Sequence, residues 1–377
     1  MNIPFIFGKI ASGDNFTDRK EETSRLINNF NYCINTIIIS PRRWGKSSLV
    51  HKAANIALKE NPRLRVCHID LLNVLNIEEF YTLFAKEIIR ATSSKWEEFV
   101  ANAKKFLSSL MPKISIGVMP GEELSLSFDT ERLRLNPDEI LDLPEKIARD
   151  KNLMIAVCID EFQRIGELPD SNYLQGKFRS KWQHHKNVSY CLFGSKRHMM
   201  LEIFSDSSKP FYRFGDIMFL KKIPCSELTP FIRERFAETD KSIDEEVAIL
   251  ISELVDEHPY YCQQLAQLAW LRTERSCDTE IVREAHTSLV EQLSLLFTNI
   301  IESLTEQQIN YLKAVIMQEP AISSAETLIK YGISSATSAS RSKVTLIKKE
   351  ILDDTGKKVL FLDPIFKYWL THHYFQI

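Results

Sequence analysis

The sequence predicts an α/β fold with a parallel sheet, followed by an all-helical segment and a small winged helix. Three observations predict it. Short apolar runs alternate with helical stretches over the first 224 residues, residues 225–303 read as helix throughout, and residues 304–377 read as three helices and a hairpin. The runs are Thr36–Ile39, Leu64–Ile69, Met154–Ile159, Val188–Phe193 and Ile217–Leu220. Continuously apolar strands fit a parallel sheet covered on both faces. The intervening segments are long enough for crossover helices.

One segment departs from this alternation. Ile114, Ile116 and Val118 alternate with polar residues, Pro120-Gly121-Glu122 breaks the run, and Leu124, Leu126 and Phe128 alternate again. The pattern predicts an inserted β-hairpin near residues 113–129. After Pro224, helices are expected over Thr229–Ala237, Asp244–Asp256 and Tyr260–Arg275, with Glu257-His258-Pro259 as the break between the last two. The last segment reads as helix 305–317, helix 325–331 ended by Gly332, helix 335–349, and a hairpin turning at Asp353-Asp354-Thr355-Gly356. That order is a winged helix-turn-helix.

Bulk properties narrow the function. The 377 residues are 44% apolar and carry a formal net charge of −2, so no global basic field draws the chain to nucleic acid or anionic lipid. No apolar stretch approaches the roughly 18 residues of a membrane span. The N-terminal run lacks a cationic segment ahead of it and reads poorly as a signal peptide. Seven scattered cysteines without a CxxC pair read as reduced core residues, which points to a cytoplasmic protein.

The chemistry is concentrated where apolar runs end. Ser40-Pro41-Arg42-Arg43-Trp44-Gly45-Lys46-Ser47 follows the first run and precedes a helix. A strand, a tight loop and a helix opening with Lys and Ser is a P-loop. Its amides cradle phosphate, Lys46 neutralises charge and the Ser47 hydroxyl holds Mg2+. Ser40 stands where the strict pattern has its first glycine. Asp160 ends the third run, where a carboxylate orders a magnesium shell, and Glu161 beside it orients and polarises a water. Ser195, after the fourth run, offers a hydroxyl to a γ-phosphate or a water. Arg42 and Arg43 are candidates for phosphate or a neighbouring subunit, and Arg213 for an arginine finger or sensor.

These motifs resemble the archaeal-type ATPase family, within the STAND branch of AAA+-like P-loop ATPases. The likeness runs through Asn15-Phe16-Thr17-Asp18-Arg19-Lys20-Glu21-Glu22, the loop Pro41 to Ser48, Asp160-Glu161-Phe162-Gln163, Phe193-Gly194-Ser195 with Phe211-Tyr212-Arg213, His258-Pro259-Tyr260-Tyr261, and Asp363-Pro364-Ile365-Phe366-Lys367-Tyr368-Trp369-Leu370. It implies a P-loop NTPase core with a five-stranded parallel sheet (residues 1–224), a helical lid (225–303) and a winged helix (304–377). It also implies ATP and Mg2+ as ligands. Asp18 and Arg19 would lie near the adenine, Ser48 would complete the loop, and Pro259 would place the lid against the nucleotide. Glu257 occupies the position of the family's lid glycine.

The winged-helix segment is locally basic. Arg341, Lys343, Lys348, Lys349, Lys357 and Lys358 stand against Glu350, Asp353 and Asp354. It suits phosphate contacts, and such domains also dock proteins. The expectation is an ATP-dependent switch that engages DNA or a protein partner, as a monomer or a nucleotide-dependent oligomer, without a membrane. The alternative is a nucleotide-gated DNA-binding or signalling adaptor with negligible turnover.

Overall fold

The computed structural model describes residues 3–9, 16–107, 137–356 and 358–377. The hairpin expected near 113–129 lies outside the described residues, as do Asn15 and Lys357. The chain forms two compact units. One is Arg19–Lys221; the other is Lys222–Ile377 together with the N-terminal segment up to Asp18.

The first unit is built on strands β1 (Thr36–Ile39), β2 (Leu64–Asp70), β3 (Met154–Asp160), β4 (Val188–Gly194) and β5 (Asp216–Phe219), each within a residue of an apolar run. They pair in parallel in the order β2-β3-β4-β1-β5. Both faces of the sheet are covered, which is why the runs do not alternate. One face carries Ile37, Ile39, Ile69, Val157, Ile159 and Leu192 into an aromatic core with Phe80, Phe84, Phe178 and Trp182. Phe80 stacks on Phe178 at 4.8 Å and Trp182 on Tyr190 at 4.2 Å. Offset stacking of this kind adds about 0.5–1.5 kcal/mol per pair beyond burial. The helix Lys46–Glu60 covers the other face, placed there by His51 stacked on His68 of β2 at 4.1 Å. Its Ala53, Ala54 and Ala57 are fully buried, and their small side chains let it lie close.

In the second unit Phe5 meets Phe231 and Phe236 edge-on at 6.3 and 5.7 Å, and the Ile6 amide donates to Gln263 Oε1 at 3.2 Å. Residues 3–9 therefore pack here, although the sequence groups residues 1–224 with the P-loop core. Helices Cys225–Ala237, Glu245–Leu254, Pro259–Arg272 and Thr279–Glu302 follow. The all-helical reading of 225–303 needs a correction. Two short parallel strands, β6 (Ser242–Ile243) and β7 (Ser276–Cys277), pair between these helices. Two residues carry no readable period.

The C-terminal part has helices Glu306–Ile316, Ala325–Tyr331 and Ala336–Lys348, then the antiparallel hairpin β8 (Leu352–Asp354) and β9 (Val359–Phe361), then helix Pro364–Trp369. Caps set these helix starts. Thr305 and Gln308 form a capping box, and Ser324, Ser335 and Asp363 cap with their side chains. The hairpin turns two residues later than the sequence suggests, because Asp353 and Asp354 belong to β8, where Asp354 pairs with Val359 and is tied to Lys343 at 2.6 Å. The helices of residues 225–303 and the C-terminal part share one core: Phe297 of helix Thr279–Glu302 lies 5.2 Å from Phe366 and 5.8 Å from Trp369. The Tyr261 hydroxyl donates to Asp363 Oδ2 at 2.5 Å. No helix of the described residues is long and apolar enough to cross a membrane.

Candidate functional site

In the order β2-β3-β4-β1-β5, β4 stands between the P-loop strand β1 and the strand that ends in Asp160. All strands are parallel, so Ser40, Asp160 and Gly194 leave the sheet at one edge. Side chains from these three exits converge, as ligand sites do at the carboxyl ends of parallel strands.

The loop geometry explains both the kept and the missing glycine. Gly45 has φ 85°, a left-handed conformation that favours glycine, and helix Lys46–Glu60 starts directly after it. Ser40 is not among the residues with positive φ, so the first position needs no glycine here. Its hydroxyl donates to the Pro41 carbonyl at 3.2 Å, and Lys46 Nζ donates to Ser40 Oγ at 3.3 Å. Lys46 is buried, and its ammonium also reaches the carbonyls of Ser40 (3.0 Å) and Pro41 (2.7 Å). Ser48 is buried in the first helical turn, Trp44 is half-buried, and Arg42 and Arg43 are exposed.

Ser47 Oγ donates to Asp160 Oδ2 at 2.7 Å, and the Glu161 amide donates to Asp160 Oδ1 at 2.8 Å. Burial is the largest influence on Asp160 and raises its pKa to about 6. The bonds from Ser47 and from the Glu161 amide oppose that rise, the Glu161 charge adds to it, and Lys46 opposes it. Glu161 sits at φ 53°, a strained backbone for a side chain of its size. Its carboxylate is met at one oxygen by two donors: Ser195 Oγ reaches Oε2 at 3.0 Å, and Gln163 Nε2 bonds to the same atom. Arg42 Nε in turn donates to Ser195 Oγ at 3.2 Å. A chain of contacts thus runs from the P-loop through Ser195 to Glu161.

The structure brings together Arg42, Lys46, Ser47, Asp160, Glu161 and Ser195. Arg19 is buried, with its guanidinium on the Lys221 carbonyl at 2.5 Å and on Glu22 at 3.2 Å. Lys221 lies two residues beyond β5, whose neighbour Leu220 donates to the Ile39 carbonyl, so Arg19 is held at the P-loop edge of the sheet. Asp18 and Pro259 belong to the second unit, where Pro259 opens helix Pro259–Arg272. Arg213 is the correction. It is exposed, with its guanidinium 5.2 Å from the Tyr212 ring, and it precedes β5, whose first residue, Asp216, pairs with Thr36 at the start of β1. It therefore stands at the sheet edge opposite the P-loop and cannot complete the site of its own chain. Gln163 is the site residue to which the sequence reading gave no role, although it closes the Asp160–Gln163 motif.

Comparisons with known proteins agree with this architecture. Residues 295–372 match a family model described as a probable winged helix domain. No curated protein matches the chain. Among solved structures, a Walker-type ATPase of Pyrococcus abyssi is similar at 18% identity, over 97% of this chain and 99% of that one, with TM-score 0.66. The ORC2 protein of Aeropyrum pernix, in ADPNP–ADP complexes, is similar at 15% identity over 96% and 94%, with TM-score 0.59. The ORC1 protein of Aeropyrum pernix in complex with DNA is similar at 13% identity over 96% and 94%, with TM-score 0.50. By fold, the chain is similar to these Walker-type ATPase and ORC structures, and its C-terminal part matches the winged-helix model.

Proposed function

We propose that this chain is a magnesium-dependent ATPase switch whose nucleotide state sets the engagement of its winged helix with double-stranded DNA. The observation that carries the reading is the bond from Ser47 of the P-loop helix to Asp160, with Glu161 directly beside it. Lys46 and the amides following Gly45 bind the phosphates. The hard oxygens of Ser47 and Asp160 fit Mg2+, which these two residues would hold. Bound there, the ion neutralises charge on the β- and γ-phosphates. Glu161 orients the attacking water and takes its proton. Ser195 and Arg42 hold that carboxylate in place. Arg213, at the far edge of the sheet, serves the site of a second copy of the chain.

The DNA part rests on the third helix of the winged helix. Thr337, Ser340, Arg341, Val344 and Lys348 are all exposed and recur at helical spacing, so they share one face. Such a face suits a major groove, with Arg341 for base edges and the hydroxyls for phosphates. The similar fold of an ORC1 protein in complex with DNA supports this part.

Two measurements test the proposal. ATP turnover in Glu161→Gln should fall at least about 100-fold while nucleotide stays bound; unchanged turnover sinks the catalytic reading. Filter retention of duplex DNA should depend on ATP, weaken with salt and drop in Arg341→Ala. Retention indifferent to both salt and Arg341 points instead to a protein partner.

A further inference from the structure

Gln163 is 1% exposed, yet it is not a packing residue like its neighbours Phe162 and Ile165. Its Nε2 donates to Glu161 Oε2, the oxygen that Ser195 also meets. Its other atom, Oε1, is buried without a hydrogen-bond partner among the described residues. The amide cannot be turned over to relieve this, because that would set Oε1 against the Glu161 carboxylate, acceptor against acceptor. A methionine would fill the same space without stranding a buried acceptor. The donor on Nε2 is what the glutamine adds at this position.

Gly194, the last residue of β4, is shaped around this side chain. A Cβ built on Gly194 would stand 1.8 Å from Gln163 Oε1 and 3.0 Å from its Cδ, with Met200 Sδ at 3.1 Å. Gly194 does not have the positive φ that would itself call for glycine. It is small because Gln163 occupies the space where its side chain would be. Strand β4 therefore contributes twice to one carboxylate, with Ser195 as a donor and with Gly194 as the clearance for a second donor.

We infer that Gln163 is a positioning residue that, seated against Gly194, clamps Glu161 Oε2 together with Ser195 and so fixes the carboxylate that orients the attacking water. Two donors from different strand ends, converging on one oxygen, stop the carboxylate from rotating about its terminal torsion. That torsion is otherwise broad. Preorganisation of this kind acts on the chemical step and leaves nucleotide binding alone. The inference rests on the reading of Glu161 given above.

The test compares ATP turnover and ATP affinity in seven proteins: wild type, Glu161→Gln, Gln163→Leu, Gln163→Glu, Gly194→Ala, Gln163→Ala and the Gln163→Ala/Gly194→Ala double variant. Gln163→Leu should lower kcat roughly 10-fold or more with KM and Kd within about twofold. Gln163→Glu keeps the shape but sets a second carboxylate against the first, and should lower kcat further still. Gly194→Ala, which leaves both polar residues in place, should reproduce the loss by pushing the amide off. In a Gln163→Ala background the same Gly194→Ala change should add almost nothing, a coupling measured by a double-mutant cycle. Melting temperature separates a displaced clamp from a misfolded site. Wild-type kcat in Gln163→Leu, or additive losses in the cycle, would overturn the clamp while a dead Glu161→Gln leaves the catalytic reading standing. Unchanged turnover in Glu161→Gln overturns both.

Discussion

Ser47 Oγ lies 2.7 Å from Asp160 Oδ2, a contact between residues 113 apart in sequence, one on the helix that follows β1 and the other at the end of β3, strands separated by β4. Helix Lys46–Glu60 lets a residue following β1 reach across to the end of β3. The cost is a carboxylate placed where burial opposes its charge.

That cost gives the first prediction. The native pKa of Asp160, about 6, stands above its unfolded value near 3.9. The penalty for ionising it therefore builds as pH rises between those values and is fully present above about 6. Asp160→Asn should stabilise the nucleotide-free protein by roughly 1–3 kcal/mol at pH 7.5, with the gain shrinking toward pH 4. Urea unfolding at several pH values measures it. An equal or negative effect at pH 7.5 would contradict the burial account.

Glu257 supplies the second. It has φ 53° where the resembling family has glycine, and its Oε1 accepts the amide of Cys225 at 2.9 Å. Helix Cys225–Ala237 has Pro224 at its N-cap and no side-chain cap of its own, so Glu257 provides one from a distance. Glu257→Ala should cost about 1 kcal/mol for the lost cap with the strain kept. Glu257→Gly should come out about 1 kcal/mol more stable than Glu257→Ala, because glycine relieves the strain. Equal stabilities of the two variants would show that the backbone at Glu257 is not strained.

His286 gives a pH effect of opposite sign. It is buried in helix Thr279–Glu302 against the Tyr368 ring at 4.6 Å, its Nε2 has no hydrogen-bond partner among the described residues, and His372 is the charged neighbour. Burial, then His372, lowers its pKa to about 4. The unfolded side chain binds its proton first, near pH 6.5. Stability from neutral His286 is thus complete above pH 6.5 and is lost as pH falls toward 4, by up to about 3 kcal/mol. His286→Phe should flatten the melting-temperature profile between pH 6.5 and 4.5. An unchanged slope would exclude His286 as its source.

The Tyr261–Asp363 bond gives the fourth. Asp363 Oδ1 caps helix Pro364–Trp369 by accepting the amides of Ile365 and Phe366, while Oδ2 accepts from Tyr261. Tyr261→Phe removes one charge-assisted bond and should cost about 1.5–3 kcal/mol. Asp363→Ala removes that bond and the cap together and should cost more. The two changes share a partner, so Tyr261→Phe in the Asp363→Ala background should cost much less than it does alone.

Much of the first unit was legible in the sequence because its central strands β1, β3 and β4 are buried along nearly their whole length and so appear as largely apolar runs, whereas the edge strands β2 and β5 are only partly buried. Asp160, Glu161 and Ser195 were legible for the same reason, as polar residues at the ends of such runs, and Ser47 through the Gly45-Lys46-Ser47 pattern of the loop that follows the first run. The same rule speaks against Arg213 as part of its own chain's site, because it comes before the run Ile217–Leu220. Strands β6 and β7 were too short to carry a period. The role of Gln163 was not readable, because it depends on which strand exit lies beside Asp160, and that is Gly194 on β4. The placement of residues before Asp18 depends on Phe5 finding Phe231 and Phe236, a contact that sequence order does not announce.

Helix Thr279–Glu302 runs 24 residues, about 36 Å, without an internal proline or glycine. Its first half packs with helix Pro259–Arg272, and its second half carries Phe297 and Ile301 into the core of the winged helix. It is a lever with no hinge along its length. A tilt of about 10° at its start sweeps its far end through about 6 Å, roughly the rise of one helical turn. The same continuity means that severing the chain at residue 304 strips Phe297 from beside Phe366 and Trp369, so grafting this winged helix onto another protein requires carrying the second half of the helix with it.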